Sequence, residues 1–240
     1  MPWWYAVAER DHDIQNPTSA DKIRLLGETM RIDGQSQVLD IACGKAGPAL
    51  VLARQFGCRV TGVERAPEFV SAARARIHAA GLGDRIEIVE QDATSFEPEP
   101  SRYDVAMCLG ATFIWGNLDG TLNALTPAVR RGGHVAVGEV YLRRPLPDGV
   151  EGYGEFRPLA QTAARFAEAE LELITFIASS LDDWDRYESL HWRAVEEWMA
   201  ANRDDPDAEE FRRRNDADRR DYLAWGRDTL GWGIFVARKR

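Results

Sequence analysis

Asp40, Glu64 and Asp92 are spaced as ligand-binding acids would be, each ending or following a short apolar stretch of strand composition (37–41, 58–63 and 85–90). Open α/β sheets bind ligands outside the carboxyl ends of their strands. Carboxylates at three successive strand ends therefore imply one ligand with several hydrogen-bond donors. After the first stretch comes Ala42-Cys43-Gly44-Lys45-Ala46-Gly47. This turn of small residues lets backbone approach a ligand and leads into a helix N-terminus with free N–H groups. The spacing Ala42-x-Gly44-x-x-Gly47 is a degenerate dinucleotide fingerprint. Asp40 disfavours a dinucleotide, because it sets a negative charge where a pyrophosphate must lie; a cationic group suits the position better. Glu64 is placed to accept from the two hydroxyls of a ribose, and Asp92 from the amino group of an adenine. Turn chemistry accounts for one such acid but does not require three in register.

The elements that must position these residues alternate along the chain. Helices are expected at 17–31, 48–56, 67–80, 118–131 and 158–169, and strands at 37–41, 58–63, 85–90, 103–109, 134–141, 171–178 and 233–237. Pro17, Thr18 and Asp21 read as the start of the first helix, with a capping box. Gly132-Gly133 reads as the stop of the helix at 118–131. Strands alternating with helices predict a mostly parallel sheet with helices on both faces. The rhythm breaks at 181–230, about fifty residues of helical pattern between the last two strands. Tyr187, Leu190, His191, Ala194, Val195, Trp198 and Met199 give this insert one apolar face. Its position after a parallel strand predicts a cap over the ligand edge.

Composition narrows the class. The net charge of −9 lacks the basic field that nucleic acid requires. Arg212, Arg213, Arg214, Arg219 and Arg220 are interleaved with Asp216, Asp218 and Asp221, which predicts a solvated, ion-paired helix face. No stretch reaches the ~20 apolar residues of a membrane span, and the opening Met1-Pro2-Trp3-Trp4-Tyr5 lacks the pattern of a signal peptide. Cys43, Cys58 and Cys108 form no CxxC pair, so neither a zinc site nor a disulfide framework is expected, and a cytoplasmic location suits them.

The acids and the turn carry a family resemblance. The chain resembles class I S-adenosylmethionine-dependent methyltransferases over about 34–140 and again at its last strand. Residues 38–47 are similar to the motif D/E-x-G-x-G-x-G: Asp40 and Gly44 match it, and Ala42 and Ala46 stand where the family usually has glycine. The resemblance implies a Rossmann-like, seven-stranded sheet with its last strand antiparallel. It implies S-adenosyl-L-methionine as cofactor, a ligand with an ammonium and a sulfonium and no phosphate. Asp40, Ala42, Gly44 and Gly47 would hold its methionine part, Glu64 its ribose, and Asp92 and Ala93 its adenine, with Arg65 a further cofactor-binding residue. Leu109, at the end of the fourth strand, would flank the transferred methyl. His12 to Pro17, Gly110 to Trp115 and Gly231 to Val236 are similar to a bacterial subgroup that implies no particular substrate.

The organisation expected is one domain over 1–240, with an N-terminal lid and helix at 1–33, a cofactor-binding core at 34–180, a helical cap at 181–230 and a final strand at 231–240. The acidic charge and the cap suggest a small-molecule acceptor. If the acceptor needs a general base, Glu139 is the first choice, at the end of the fifth strand, with His12 and His191 as further candidates. Trp115 and Tyr141 are candidate neighbours of the sulfonium, and Cys43 and Cys108 read as small apolar fillers. The alternatives are a nicotinamide-dependent oxidoreductase and a cofactor-binding subunit without catalysis.

Overall fold

In the computed structural model, which describes residues 3–240, seven strands form one sheet in the order β3-β2-β1-β4-β5-β7-β6. The strands are β1 (Gln37–Ile41), β2 (Arg59–Glu64), β3 (Ile86–Glu90), β4 (Tyr103–Leu109), β5 (Val129–Leu142), β6 (Leu171–Ala178) and β7 (Leu230–Lys239). β7 alone runs antiparallel, against both β5 and β6; β1 to β5 pair in parallel. The strand order reverses between β1 and β4, and a crevice opens at such a switch point.

The apolar runs divide between two faces by the period of two. Val38, Val60, Val105, Met107, Ala136 and Val236 pack with the helices α2 (Ala20–Thr29), α3 (Gly47–Phe56) and α4 (Pro67–Ala80). Leu39, Ala106, Val135, Val137 and Phe235 pack on the other face with α5 (Leu118–Leu125) and α6 (Leu159–Glu168). Phe166 of α6 is fully buried and stacks on Phe235 with ring centroids 5.4 Å apart.

Two expected boundaries are corrected. α2 begins at Ala20, and its cap is Ser19, whose hydroxyl accepts from the Lys22 N–H; the Thr18 side chain is buried and does not cap. The helix expected to reach 131 ends at Leu125, where Pro127 follows. β5 already starts at Val129. Gly132-Gly133 is therefore a strand irregularity and not a helix stop. Gly132 has φ of 75°, the pairing of β4 with β5 shifts register here, and a Cβ on Gly133 would lie 2.6 Å from the Asp104 carbonyl.

The insert consists mainly of α7 (Leu181–Ala201) and α8 (Ala208–Asp221). α7 opens with a capping box between Ser180 and Asp183, and Asp183 also pairs with Lys22 of α2. The apolar face of α7 is realised against the N-terminal helix α1 (Trp3–Ala8): Val195, Met199 and Phe211 pack with Trp4, Val7 and Trp198. Met1 and Pro2, with which the signal-peptide reading opens, lie outside the described residues.

Phe166→Ala would open a cavity in the α6 face of the core. It is expected to lower the unfolding free energy by about 3–5 kcal/mol, read as a lower urea midpoint at unchanged slope; a loss below about 1 kcal/mol would contradict this packing.

Candidate functional site

Asp40 is the fourth residue of β1, level with Gly62 of β2 and Met107 of β4, at the switch point. It is 2% exposed, and its Oδ2 has no hydrogen-bond partner. Burial, with the charge of Glu64 adding, pushes its carboxyl up to about 8. An unpartnered buried carboxylate is costly, and a ligand that brings a donor or a positive charge removes that cost.

The turn after β1 places Ala42, Gly44 and Ala46 in the left-handed region, with φ of 57°, 54° and 60°. An alanine there costs about 1–2 kcal/mol. Part of the compensation comes from Glu64, whose Oε2 accepts from the Gly44 N–H at 3.1 Å and whose Oε1 accepts from Arg65 and Ala66 N–H at 3.0 and 2.8 Å. Gly47 is required by close approach of the Asp13 backbone, while Gly44 and Gly110, with φ of 54° and 82°, lie beneath the ends of the Gln15 and Asn16 side chains. A Cβ on Gly44 would lie 2.1 Å from Gln15 Oε1, and on Gly47 2.2 Å from the Asp13 carbonyl. A Cβ on Gly110 would lie 2.1 Å from Asn16 Oδ1. The N-terminal strap is thus pressed onto both the β1 turn and the end of β4. Lys45 fixes it, donating from its ammonium to the Glu9 and Arg10 carbonyls at 2.6 and 2.9 Å. Arg76 donates to the Asp13 and Lys45 carbonyls, both at 3.0 Å.

Beneath the strap lies a cavity of about 640 Å³. All nine cofactor residues expected from the sequence line it: Asp40, Ala42, Gly44, Gly47, Glu64, Arg65, Asp92, Ala93 and Leu109. Asp92 already has a structural task. Its Oδ1 accepts from the Thr94 N–H and hydroxyl and its Oδ2 from Arg65, and these bonds hold its carboxyl down to about 2. Gln15, Asn16 and Phe113, from two segments named in the sequence, also line the cavity, with Tyr5 and Phe69, which are not named as site residues from the sequence. The expected N-terminal lid is the source of Tyr5, Gln15 and Asn16.

The three candidate bases lie elsewhere. Glu139 is buried near Asn117, Glu155 and Arg165, outside the wall of this cavity, and burial raises its carboxyl. Trp115 and Tyr141 are also absent from the wall. His12 and His191 meet at Glu9, which is fully buried. Glu9 Oε1 accepts from Tyr187 Oη and from His191 Nε2, each at 2.9 Å. His12 Nε2 lies 2.9 Å from the Tyr187 carbonyl, which can only accept, so this nitrogen carries the hydrogen. His12 Nδ1 then faces Glu9 Oε2 at 3.4 Å, and neither atom has a partner. Glu9, His12 and His191 bring three donor atoms within 4.8 Å of one another. The Lys45 ammonium on the Glu9 carbonyl opposes a further cation there, so the group reads as a knot between the strap and α7. The inserted helices pack on the strap, and the strap covers the cavity. Cys43, Cys58 and Cys108 are buried free thiols, in keeping with the filler reading of Cys43 and Cys108.

The comparisons agree with this geometry. Residues 38–133 match the model of a methyltransferase domain. A SAM-dependent methyltransferase from Geobacter sulfurreducens, crystallised in complex with S-adenosyl-L-homocysteine, superposes with a TM-score of 0.94 at 30% identity, covering 100% of this chain and 99% of that one. The uncharacterized protein YjhP of Escherichia coli is 28% identical over 98% of both chains. The ubiquinone biosynthesis O-methyltransferase of Xanthomonas euvesicatoria is 25% identical, covering 82% of this chain and 87% of its own. The chain belongs to the class I S-adenosylmethionine-dependent methyltransferases, enzymes whose cofactor is S-adenosyl-L-methionine. No helix among the described residues is long and apolar enough to cross a membrane.

Between pH of about 4 and about 8 the folded, cofactor-free protein holds a proton on Asp40 that the unfolded chain has released, so this group lowers stability as pH rises through that window. Asp40→Asn removes the effect. Urea unfolding from about pH 5 to about pH 9 is expected to show the variant gaining on wild type as pH rises; a constant difference would contradict the assignment.

Proposed function

We propose that this methyltransferase acts on a small molecule and holds its cofactor in the cavity under the strap. The observation that carries the cofactor placement is the buried, unpartnered carboxylate of Asp40. It fits the ammonium of the cofactor's methionine part. Gly44 and Gly47 give that part close backbone approach. Glu64 has lone pairs left for the ribose hydroxyls while it braces the turn. Asp92 and Ala93 border the adenine position, and Arg65 and Leu109 complete the wall.

When bound, the cofactor supplies a methyl group on a sulfonium, whose carbon–sulfur bond breaks, leaving the electron pair on sulfur, as the acceptor's lone pair forms the new bond. The protein's contribution is alignment and exclusion of water. Residues 13–16 roof the cavity, and Asn16 and Gly110 narrow the β4 end where the methyl would lie. In this reading the chain is one domain: the strap through residue 33, the core at 34–180, the insert at 181–230 and the closing strand.

A small-molecule acceptor is supported by the negative net charge, by the cover of strap and insert, and by likeness to a ubiquinone biosynthesis O-methyltransferase. A screen with methyl-labelled S-adenosylmethionine tests it. Label is expected in a low-molecular-weight fraction of metabolites; label only in RNA or protein would refute it. Asp40→Asn keeps the shape and removes the charge, and is expected to weaken S-adenosylhomocysteine binding by at least ~10-fold, about 1.4 kcal/mol, in calorimetric titration. Unchanged affinity would remove Asp40 from the site.

A further inference from the structure

Two segments singled out in the sequence, His12 to Pro17 and Gly110 to Trp115, meet at the β4 end of the cavity under the strap. Asn16 comes from the first, and Gly110, Ala111, Phe113 and Ile114 from the second. With Leu109 they surround the place where the methyl would lie. Among the described residues, this end of the wall carries no ionisable side chain. Its one polar side chain is the amide of Asn16, and an amide donates to an anion but takes no proton near neutral pH. The ionisable groups of the cavity lie elsewhere and are engaged. Asp40 is the group proposed for the ammonium, Glu64 accepts from three backbone N–H groups, and Asp92 pairs with Arg65 at 3.0 Å. Burial, with the charge of Glu9 adding, pushes the Tyr5 hydroxyl up, and burial pushes the Cys43 thiol up, so neither is an anion near neutral pH. Phe113 stands at the rim of the cavity with 68% of its surface exposed. The 3-10 turn that carries it, Thr112–Trp115, is fixed: Ala111 and Thr112 are buried, and the Thr121 hydroxyl donates to the Thr112 carbonyl at 3.3 Å. An open ring on a fixed turn is a platform for an apolar body.

A wall without a base selects the acceptor. A hydroxyl, or the ammonium of an amine, must lose a proton to attack and depends on a positioned base, an effect of about 10²–10⁴ in rate. A thiol does not: a few per cent is already thiolate near neutral pH, and the thiolate is a strong nucleophile. A carboxylate is also ionised but is the weaker nucleophile, and this end of the wall offers nothing to activate it. In apolar surroundings a thiolate is drawn to the sulfonium, because attraction between opposite charges grows as the dielectric falls. We propose that the methyl acceptor is a small thiol with an apolar body, held against Phe113 and Ile114 and methylated as its thiolate. The inference rests on the cofactor placement and the small-molecule reading above. The thiol releases its proton to water. A lone pair of the thiolate sulfur forms the new sulfur–carbon bond as the carbon–sulfur bond of the sulfonium breaks, with that electron pair staying on the cofactor's sulfur. Asn16 donates to the thiolate and steadies its charge.

The test is turnover by the full chain, with methyl-labelled S-adenosylmethionine at saturation and four probes that share one body: 2-phenylethanethiol, 2-phenylethanol, 2-phenylethylamine and 3-phenylpropionate. The thiol is expected to be methylated with kcat/KM at least ~100-fold above each of the others. Below the thiol's own pKa the rate is expected to rise ~10-fold per pH unit with the thiolate fraction and then to level, and the levelling point to move to lower pH with the more acidic thiophenol. Phe113→Ala is expected to raise KM for the thiol at least ~5-fold with kcat little changed. Faster methylation of the alcohol, amine or carboxylate, an unchanged KM in Phe113→Ala, or a levelling point that stays fixed between the two thiols and so reports a base in the protein, would each overturn the proposal. S-adenosylhomocysteine is titrated calorimetrically into the same protein. If it binds and the thiol is not methylated, only this inference falls; if it does not bind, the cofactor reading falls and this inference with it.

Discussion

The structure is organised around a carboxylate that has no partner. Asp40 sits at the switch point of the sheet, buried, with the carboxylate of Glu64 nearby, and burial with that charge keeps it protonated. Most folds neutralise or hydrate such a group. Here three devices hold an environment in which it stays buried and unmatched. The β1 turn adopts three left-handed residues to curl away from it. Glu64 anchors that turn through three backbone N–H groups. The strap closes over the top, its backbone reaching the β1 turn at Gly47, where a side chain would meet the Asp13 carbonyl. Left-handed backbone and desolvation are thus concentrated beside Asp40, where the proposed function puts the cofactor's ammonium.

The strap links this site to the insert. Lys45 ties the strap to the β1 turn, and Glu9 ties it to Tyr187 and His191 of α7. α7 is in turn fixed to α2 through Asp183 and Lys22, and to the return turn through Asp185, which receives Tyr222 and both arms of Arg227. The roof of the cavity under the strap is therefore tied through α7 to the body of the fold by a continuous set of polar contacts.

Much of this was legible from the residues. Strands of strong period yield the sheet, and strand-end placement brings Asp40, Glu64 and Asp92 to the wall of one cavity. Local signals misled where tertiary packing overrode them. Gly132-Gly133 reads as a helix stop, yet its function is to let β5 meet β4 beside the Asp104 carbonyl. Asp92 lines the cavity as expected and also bonds Thr94 and Arg65, a second task that strand-end placement does not encode. Glu139 ends its strand outside the cavity wall, in a pocket that Arg165 also lines. The strap was hardest to place, since Tyr5, Gln15 and Asn16 reach the site through long-range contacts that no local spacing encodes.

The central claim is that Asp40 is neutral in the empty protein and becomes charged when the cofactor's ammonium arrives. Calorimetric titration with S-adenosylhomocysteine near pH 6.5, repeated in buffers of different ionisation enthalpy, measures this directly. The account predicts release of about one proton per site on binding, lost in Asp40→Asn. Tight binding with no net proton release in wild type would contradict it.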